Sequence, residues 1–425
     1  MRESYWGLFK IRGVSPLIGT MILSRLGANM WNLALVLFVL EQFHSPAITG
    51  LISFFGLTPG LLISPLAGVV LDRHGRKRWV ALDLAVGVAI VACITILTFL
   101  HQLSPVPIIL IVGIGSLTLP LSASGMRTLI PLLIPRPLWG RANALDSASG
   151  DATFLLGPVL AGVLFTILGG LATLQVIALL WLVGALLVFF VQEPHTKVQG
   201  KEPLWLSARQ GMQYIIHSPT LRNLTWIMPL ANLGTGVFLV ALPVFVLGLP
   251  YGNSTLVGLL WSGFAGAGVI SGLILGSLHT EGRERWLMAL FVFIVGIGFL
   301  ITALSSLTAI PLVIAAIGMI IAGLANGPLN VTMFSVRQQA TNPDWLGRVI
   351  AISGSISLLG TPVGSALGGL GVSGSLVGTM AVVAVLTMVC ALFYLAFLPV
   401  RIMPSDSLEE PRVAEDLSKG GKARG

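Results

Sequence analysis

The sequence predicts an all-α integral membrane protein whose twelve transmembrane helices form two six-helix bundles related by a pseudo-twofold axis. Its composition, with 55% hydrophobic residues, 9% charged residues and a mean hydropathy of +0.94, lies outside the range of soluble globular domains. Twelve separate apolar segments are long enough to cross a bilayer, and the second six repeat features of the first six. Composition, segment count and repeat together predict this architecture.

A helix needs roughly 20 apolar residues to cross about 30 Å of hydrocarbon, and segments of that kind recur along the whole chain. We number them α1 to α12 in chain order. Their predicted ranges are 16–40, 47–71, 79–100, 106–130, 142–167, 171–191, 224–248, 255–278, 286–304, 310–335, 349–371 and 376–400. Because α1 runs well beyond the length of a signal-peptide core, we expect it to be retained as a membrane helix.

A polar stretch after α6 divides the segments six and six. We therefore predict four parts, which are an amino-terminal bundle, a cytoplasmic linker, a carboxy-terminal bundle and a cytoplasmic tail, over 1–191, 192–223, 224–400 and 401–425.

The placement of the basic residues predicts the orientation, because Lys and Arg concentrate on the cytoplasmic side of short loops. Of the 24 Lys and Arg residues, all but Arg25 fall on one side of the twelve-helix arrangement. Both termini are therefore predicted to be cytoplasmic, in a protein of the cell inner membrane. Topology then explains the net charge of +8, so a nucleic-acid partner is not expected.

The two halves repeat at a constant offset. A shift of 207 residues superimposes matching pairs in several helices and loops, and scattered Leu and Gly matches from a membrane composition would not keep one offset. The pairs include Leu26-Gly27 with Leu233-Gly234, Gly75-Arg76 with Gly282-Arg283, and Gly140-Arg141 with Gly347-Arg348. We infer parallel repeats related by an axis along the membrane normal.

The loop between α2 and α3 concentrates charge in an otherwise apolar chain. Its pattern is G-x-x-x-D-R-x-G-R-K, formed by Gly68, Asp72, Arg73, Gly75, Arg76 and Lys77. This pattern resembles the loop between the second and third helices of the major facilitator superfamily of secondary transporters. The resemblance implies a gating loop at the cytoplasmic surface. The alternative is that any short cytoplasmic loop collects basic residues.

Helix α5 contains a second motif, in which Gly157 and Pro158 are followed by Gly162. It resembles the G-P-x-x-G-G signature of antiporter branches of the same superfamily, with Ala161 in place of one glycine. Proline bends a helix and small residues allow close contact with a neighbour. A role in packing alone is the alternative.

Arg25 is predicted to lie about 15 Å into α1, where a guanidinium is costly unless it faces water or a partner. Asn29 and Asn32 follow at i+4 and i+7, so all three share one face. In the resembled family this helix lines the central cavity, which favours a substrate-cavity role over snorkelling. Asp151 of α5 has a similar depth and is the predicted counter-ion of Arg25. Protonation of Asp151 would then couple protons to transport, unless the pair is static.

Two further groups of polar residues are assigned roles. Amides on α7 and α10 are expected to donate hydrogen bonds into the cavity, and a charge network with Asp72 is expected to close the cytoplasmic side. The amides are Asn232, Asn326 and Asn330, and the other network members are Asp83, Arg127, Arg141 and Asp146.

Taken with the resemblance, these features predict a secondary active transporter that works by alternating access. Its expected activity is proton-coupled export of an amphipathic small molecule, such as a drug or a siderophore-like compound. Proton-coupled uptake of a small organic solute is the alternative. A channel fits the repeat less well, and a membrane enzyme is disfavoured because all six histidines fall in loops or at helix ends. We expect a monomer in the lipid bilayer that works without a cofactor or a metal. Cys93 and Cys390 lie in separate apolar segments, so neither a disulfide framework nor a cysteine-based metal site is expected.

Overall fold

A computed structural model describes residues 5–193, 204–276 and 282–399. Within these ranges the regular secondary structure is helical, and 12 helices are long and apolar enough to cross a membrane. The predicted fold class is therefore confirmed. The helices are α1 Val14–Phe43, α2 Pro46–His74, α3 Arg76–Phe99, α4 Pro105–Ser116 with Leu119–Leu133, α5 Trp139–Leu168, α6 Gly170–Val188, α7 Pro219–Leu247, α8 Ser254–Gly276, α9 Glu284–Leu304, α10 Pro311–Gln339, α11 Leu346–Leu358 with Gly360–Val372, and α12 Leu376–Phe397.

Two shorter helices precede α1 and α7. The first is Tyr5–Phe9, and the second, Leu204–His217, belongs to the predicted linker. Arg348 of α11 donates to the Gln210 side chain of this linker helix at 3.1 Å. The division of the chain into four parts stays a prediction, because residues 194–203 and the tail lie outside the described ranges.

Helices α4 and α11 are each interrupted in mid-membrane. The break in α4 comes just before Pro120, and the break in α11 comes just before Pro362. Proline lacks the amide hydrogen that continues a helix, so a short irregular turn separates the two segments of each helix. Each of these two helices therefore has a point at which its two segments can differ in direction.

The helices pack in the same pattern in both halves. In the first half α1 packs on α5 and α6, α3 packs on α4 and α6, and α2 packs on α4. In the second half α7 packs on α11 and α12, α9 packs on α10 and α12, and α8 packs on α10. Each contact thus has a counterpart six helices later, as the sequence repeat predicts. The two bundles meet where α2 packs on α11 and where α5 packs on α8. Replacing each helix by its repeat counterpart, six helices away, turns one of these contacts into the other.

The contacts between bundles concentrate at one end of the molecule. We call the end that carries Arg76, Arg141 and Arg348 the basic end, and the opposite end the far end. Gly50 of α2 and Gly369 of α11 approach so closely near the far end that a Cβ added to either would lie 3.0 Å from the Cα of the other. Only glycine permits this backbone approach.

Hydrogen bonds also join the bundles in the far half. The Thr255 amide of α8 donates to the Thr166 hydroxyl of α5 at 3.1 Å, and the Ser262 hydroxyl donates to the Leu155 carbonyl at 2.7 Å. The Thr255 hydroxyl also donates to the Gly162 carbonyl at 3.4 Å, so several hydrogen bonds connect α5 to α8 in this half of the molecule. The far end is therefore closed.

Candidate functional site

A cavity of about 430 Å³ lies between α1, α2, α4 and α6, with Leu239 of α7 on its remaining side. The polar groups of its wall are Ser24, Arg25, Asn32, Ser53, Ser122 and Arg127. The apolar groups include Trp31, Leu35, Leu57, Met126, Trp181 and Leu239. Its volume falls within the range of small-molecule sites, and its largely apolar wall with a few polar groups suits an amphipathic ligand.

Arg25 forms an ion pair, but with Asp146 rather than with Asp151. Its Nη2 atom lies 2.5 Å from Asp146 Oδ1, and its Nη1 atom donates to the Asp146 carbonyl at 2.9 Å and to the Ser149 hydroxyl at 3.3 Å. The exposed fractions of the two side chains are 18% and 11%, so the pair is largely shielded from water. Its position ties α1 to α5 at the edge of the cavity.

The predicted pair of Arg25 with Asp151 is therefore wrong. Five residues turn an α-helix by about 500°, which places Asp151 about 140° away from Asp146 around α5. Asp151 is exposed and lies one turn before Leu155, the residue that accepts from α8. Side chains of a helix also lean toward the start of the helix, which for α1 is the basic end. The Arg25 guanidinium therefore lies nearer the basic end than the Arg25 Cα atom, at the level of Asp146.

Arg127 is a second cation on the same carboxylate. Its Nε atom lies 3.4 Å from Asp146 Oδ2, and 69% of its side chain is exposed. It belongs to the cavity wall, whereas the sequence placed it in a network that closes the cytoplasmic side. With one carboxylate shared by two guanidinium groups, the cluster of Arg25, Arg127 and Asp146 carries a net charge of +1. Arg141, also predicted for that network, is half-buried in the first turn of α5.

Asp83 does not join this cluster, so its predicted place in the charge network is wrong. It is 7% exposed, and its carboxylate accepts from the Ser122 hydroxyl of α4, with Thr118 as a further partner. Asp83 lies about 10 Å along α3 from its start and faces the interior of the amino-terminal bundle. The sequence indicated its depth along α3 but not the direction in which its side chain points.

The α2–α3 loop is fastened to the end of α6. Gly75 adopts a positive φ of 86° between the two helices, a conformation that favours glycine. The Glu193 carboxylate accepts from the amides of Arg76 and Lys77 at 2.8 and 3.0 Å, which satisfies free donors at the start of α3. The Lys77 ammonium in turn donates to the carbonyls of Phe189 and Val191.

This loop therefore holds its own bundle together. Sequence analysis missed Glu193, which lies 117 residues from Arg76 and carries no local pattern. The surroundings of Gly68 and of the Asp72 and Arg73 side chains lie outside the described part of the structure, so the gating roles predicted for these three residues stay predictions.

The predicted cavity amides divide into two groups. Asn32 belongs to the cavity wall. Asn29 instead donates to the Thr153 hydroxyl of α5 at 3.5 Å, and Asn232 donates to the Ser357 carbonyl of α11 at 2.8 Å. Both of these amides therefore join helices.

Two amides of α10 were also expected in the cavity. Asn326 is half-buried and Asn330 is exposed, and neither belongs to the wall of the 430 Å³ cavity. Their role in substrate binding stays a prediction.

The carboxy-terminal bundle carries a neutral version of the Arg25 contact. Asn232 is the repeat counterpart of Arg25, and α11 is the counterpart of α5. Arg337 of α10, which sequence analysis did not single out, is 4% exposed and donates to the Ser357 hydroxyl at 2.5 Å. At the position of the Arg25–Asp146 ion pair, the second bundle therefore has an amide-to-carbonyl hydrogen bond from Asn232.

The glycine-proline motif of α5 contacts two helices at once. A Cβ added at Gly157 would lie 2.6 Å from Asn29 Cβ of α1, and one added at Gly162 would lie 3.0 Å from the carbonyl carbon of Ser254 in α8. The Pro158 carbonyl approaches Gly258 of α8 in the same way. The motif therefore supports both the helix that carries Arg25 and the closed far end.

Comparison with known proteins places this architecture in a wider group. The sequence model of the Major Facilitator Superfamily matches residues 17–359. The chain is 35% identical to the uncharacterized MFS-type transporter y4rN of Sinorhizobium fredii, over 93% of this chain and 97% of that one. It is 24% identical to macrolide efflux protein A of Streptococcus pyogenes, over 80% of this chain and 84% of the relative.

Among solved structures, the chain resembles the nucleoside transporter NupG. The TM-score is 0.69 at 16% identity, over 90% of this chain and 98% of the other. This likeness concerns the fold.

Proposed function

Since this chain belongs to the Major Facilitator Superfamily, we propose that it exports an amphipathic small molecule in exchange for protons, by alternating access. The ion pair between Arg25 and Asp146 at the edge of the cavity is the observation that carries this proposal. The name of the macrolide efflux relative supports export as the direction.

The charge cluster gives a physical route to coupling. Protonation of Asp146 would remove the counter-charge of Arg25 and Arg127 and leave two guanidinium groups uncompensated beside the cavity. That state disfavours a cationic substrate and loosens the α1–α5 contact. A proton and a cationic substrate then exclude one another, which is the requirement for exchange. The coupling role that the sequence analysis predicted for Asp151 is thus proposed here for Asp146.

The basic end is proposed to face the cytoplasm, with both termini on that side of the cell inner membrane. The closed far end then faces outward, and the cavity is loaded from the cytoplasm. We further propose that the protein works as a monomer, without a cofactor, and is neither an enzyme nor a nucleic-acid-binding protein.

The test compares two carboxylates of the same helix in proteoliposomes with an imposed pH gradient. A panel of amphipathic compounds that includes a macrolide is assayed with the wild type, Asp146→Asn and Asp151→Asn. We expect the gradient to drive at least one compound in the wild type and in Asp151→Asn. Asp146→Asn is expected to lose about 90% of the gradient-driven rate while it still exchanges compound without a gradient. The proposal would be contradicted if the transport rate of the wild type did not depend on the pH gradient. It would also be contradicted if Asp146→Asn kept the gradient-driven rate of the wild type.

A further inference from the structure

A small side chamber of about 50 Å³ adjoins the main cavity inside the amino-terminal bundle. The two spaces share wall residues from α1, α2, α4 and α6, so they are neighbours without a separating helix. The shared residues include Ser24, Trp31, Gly56, Leu119, Ser122 and Trp181. Asp83 belongs to the wall of the side chamber alone.

The chamber combines a carboxylate with an aromatic wall. Trp31 and Trp181 lie with ring centroids 5.5 Å apart at an angle of 51°, and both belong to the wall that contains Asp83. The Trp181 indole nitrogen donates to the Ser24 carbonyl at 3.4 Å, which fixes the ring. Aromatic faces beside a carboxylate form the usual environment for an organic ammonium group, because the ring quadrupole and the charge both attract a cation.

Asp83 has no cationic partner among the side chains that the structure describes. Its partners there are the hydroxyls of Ser122 and Thr118. The groups that face it across the chamber from α1, α2 and α6 are also uncharged, namely Ser24, Trp31, Gly56 and Trp181. An ionised carboxylate in such a place is costly until a proton or another cation compensates it.

We propose that this side chamber binds the ammonium head of an amphipathic organic cation, and that the head takes the place of a proton on Asp83. The apolar body of the ligand then occupies the main cavity against Leu35, Leu57 and Leu239. This inference rests on the proposed function and names its substrate class. An inorganic cation suits the chamber less well, because the wall offers few oxygen ligands and is mainly apolar.

The test uses two fluorescent probes that differ only in charge, on purified full-length protein in lipid nanodiscs. Diphenylhexatriene is neutral, and its trimethylammonium derivative carries a quaternary ammonium group on the same polyene. Quenching of tryptophan fluorescence reports the binding of each probe, and a pH indicator in weak buffer reports proton release.

We expect the wild type to bind the cationic probe more tightly than the neutral one and to release a proton as it does so. Asp83→Asn keeps an oxygen that accepts from Ser122, so the fold is preserved. It is expected to weaken binding of the cationic probe at least about tenfold, to leave binding of the neutral probe unchanged and to lower the number of protons released per bound cationic probe, because Asp83 no longer contributes one. Asp151→Asn, on the exposed side of α5, is expected to behave as the wild type. Trp31→Leu is a second variant, which retains the carboxylate. It is expected to weaken binding of the cationic probe and to leave binding of the neutral probe unchanged.

Equal binding of the two probes by the wild type, or unchanged binding of the cationic probe by Asp83→Asn or Trp31→Leu, would overturn the inference and leave proton-driven export intact. Saturation of the chamber by sodium or potassium ions in place of the ammonium probe would also overturn it. Failure of both probes to bind the wild type would instead remove the cavity as a substrate site, and with it the proposed function.

Discussion

Replacing Arg25 with methionine is expected to abolish gradient-driven transport and to lower the free energy of unfolding by about 3 kcal/mol. The change removes the closer cation from the largely buried Asp146 carboxylate and leaves it the exposed Arg127, whose Nε atom lies 3.4 Å away. Removing one member of a shielded ion pair destabilises a protein because the remaining charge stays desolvated. Thermal unfolding in detergent and flux in proteoliposomes measure the two effects.

The double variant Arg25→Met with Asp146→Leu separates stability from coupling. It removes both charges, so we expect it to recover most of the lost stability while transport stays uncoupled from the pH gradient. Arg127→Met is the matched control for stability, because its side chain is 69% exposed and its ion pair contributes little. Full recovery of coupling in the double variant would show that the pair only fixes helix packing.

Replacing Gly162 with leucine is expected to prevent closure of the far end and to lower the transport rate at least about tenfold. A Cβ at this position would lie 3.0 Å from the Ser254 carbonyl carbon and 3.2 Å from the Thr255 Cα, so α5 and α8 must separate. The same substitution at Gly140, also on α5, meets nothing within 4 Å and serves as the control.

The structural consequence of Gly162→Leu is measured by thiol accessibility. Leu35 lies in the cavity wall, and a cysteine there reports access from either side of the membrane. In the Gly162→Leu background we expect Leu35→Cys to react with a membrane-impermeant reagent added outside. Protection of this cysteine from the outside, together with normal transport, would show that the far-end contact of α5 with α8 does not gate the cavity.

The fold followed from the sequence because its signals are local or periodic. Apolar length marked each helix, and the constant offset of the repeat predicted that contacts such as α1 with α5 would recur as α7 with α11. Helix ends differ from the predicted ranges by several residues, since polar turns such as the start of α5 continue the helix beyond the apolar segment. Neither signal depends on where a single side chain points.

The candidate site was predicted only in part, because its contacts depend on the rotation of each helix about its own axis. Arg25 was recognised as a cation embedded in the membrane, but depth alone did not distinguish Asp146 from Asp151. For the same reason Asp83 was assigned to a surface network, although it faces Ser122 in the bundle interior. Glu193 was missed since its partners are far away in sequence.

The most direct test of alternating access is a pair of distances between spin labels, one at each end of the molecule. Gly140 and Gly347 are repeat counterparts at the basic end, one in each bundle, and a Cβ at either meets nothing within 4 Å. Gln42 and Ser373 are exposed positions at the far end of α1 and α11. All four are labelled as cysteines, one pair at a time, after the free cysteines Cys93 and Cys390 are replaced.

Pulsed electron resonance then measures both distances at high and low pH, with and without a macrolide. We predict that conditions which shorten the Gly140–Gly347 distance lengthen the Gln42–Ser373 distance, because closing one end opens the other. Two distances that lengthen together, or that stay fixed under every condition, would contradict the exchange of access between the two sides.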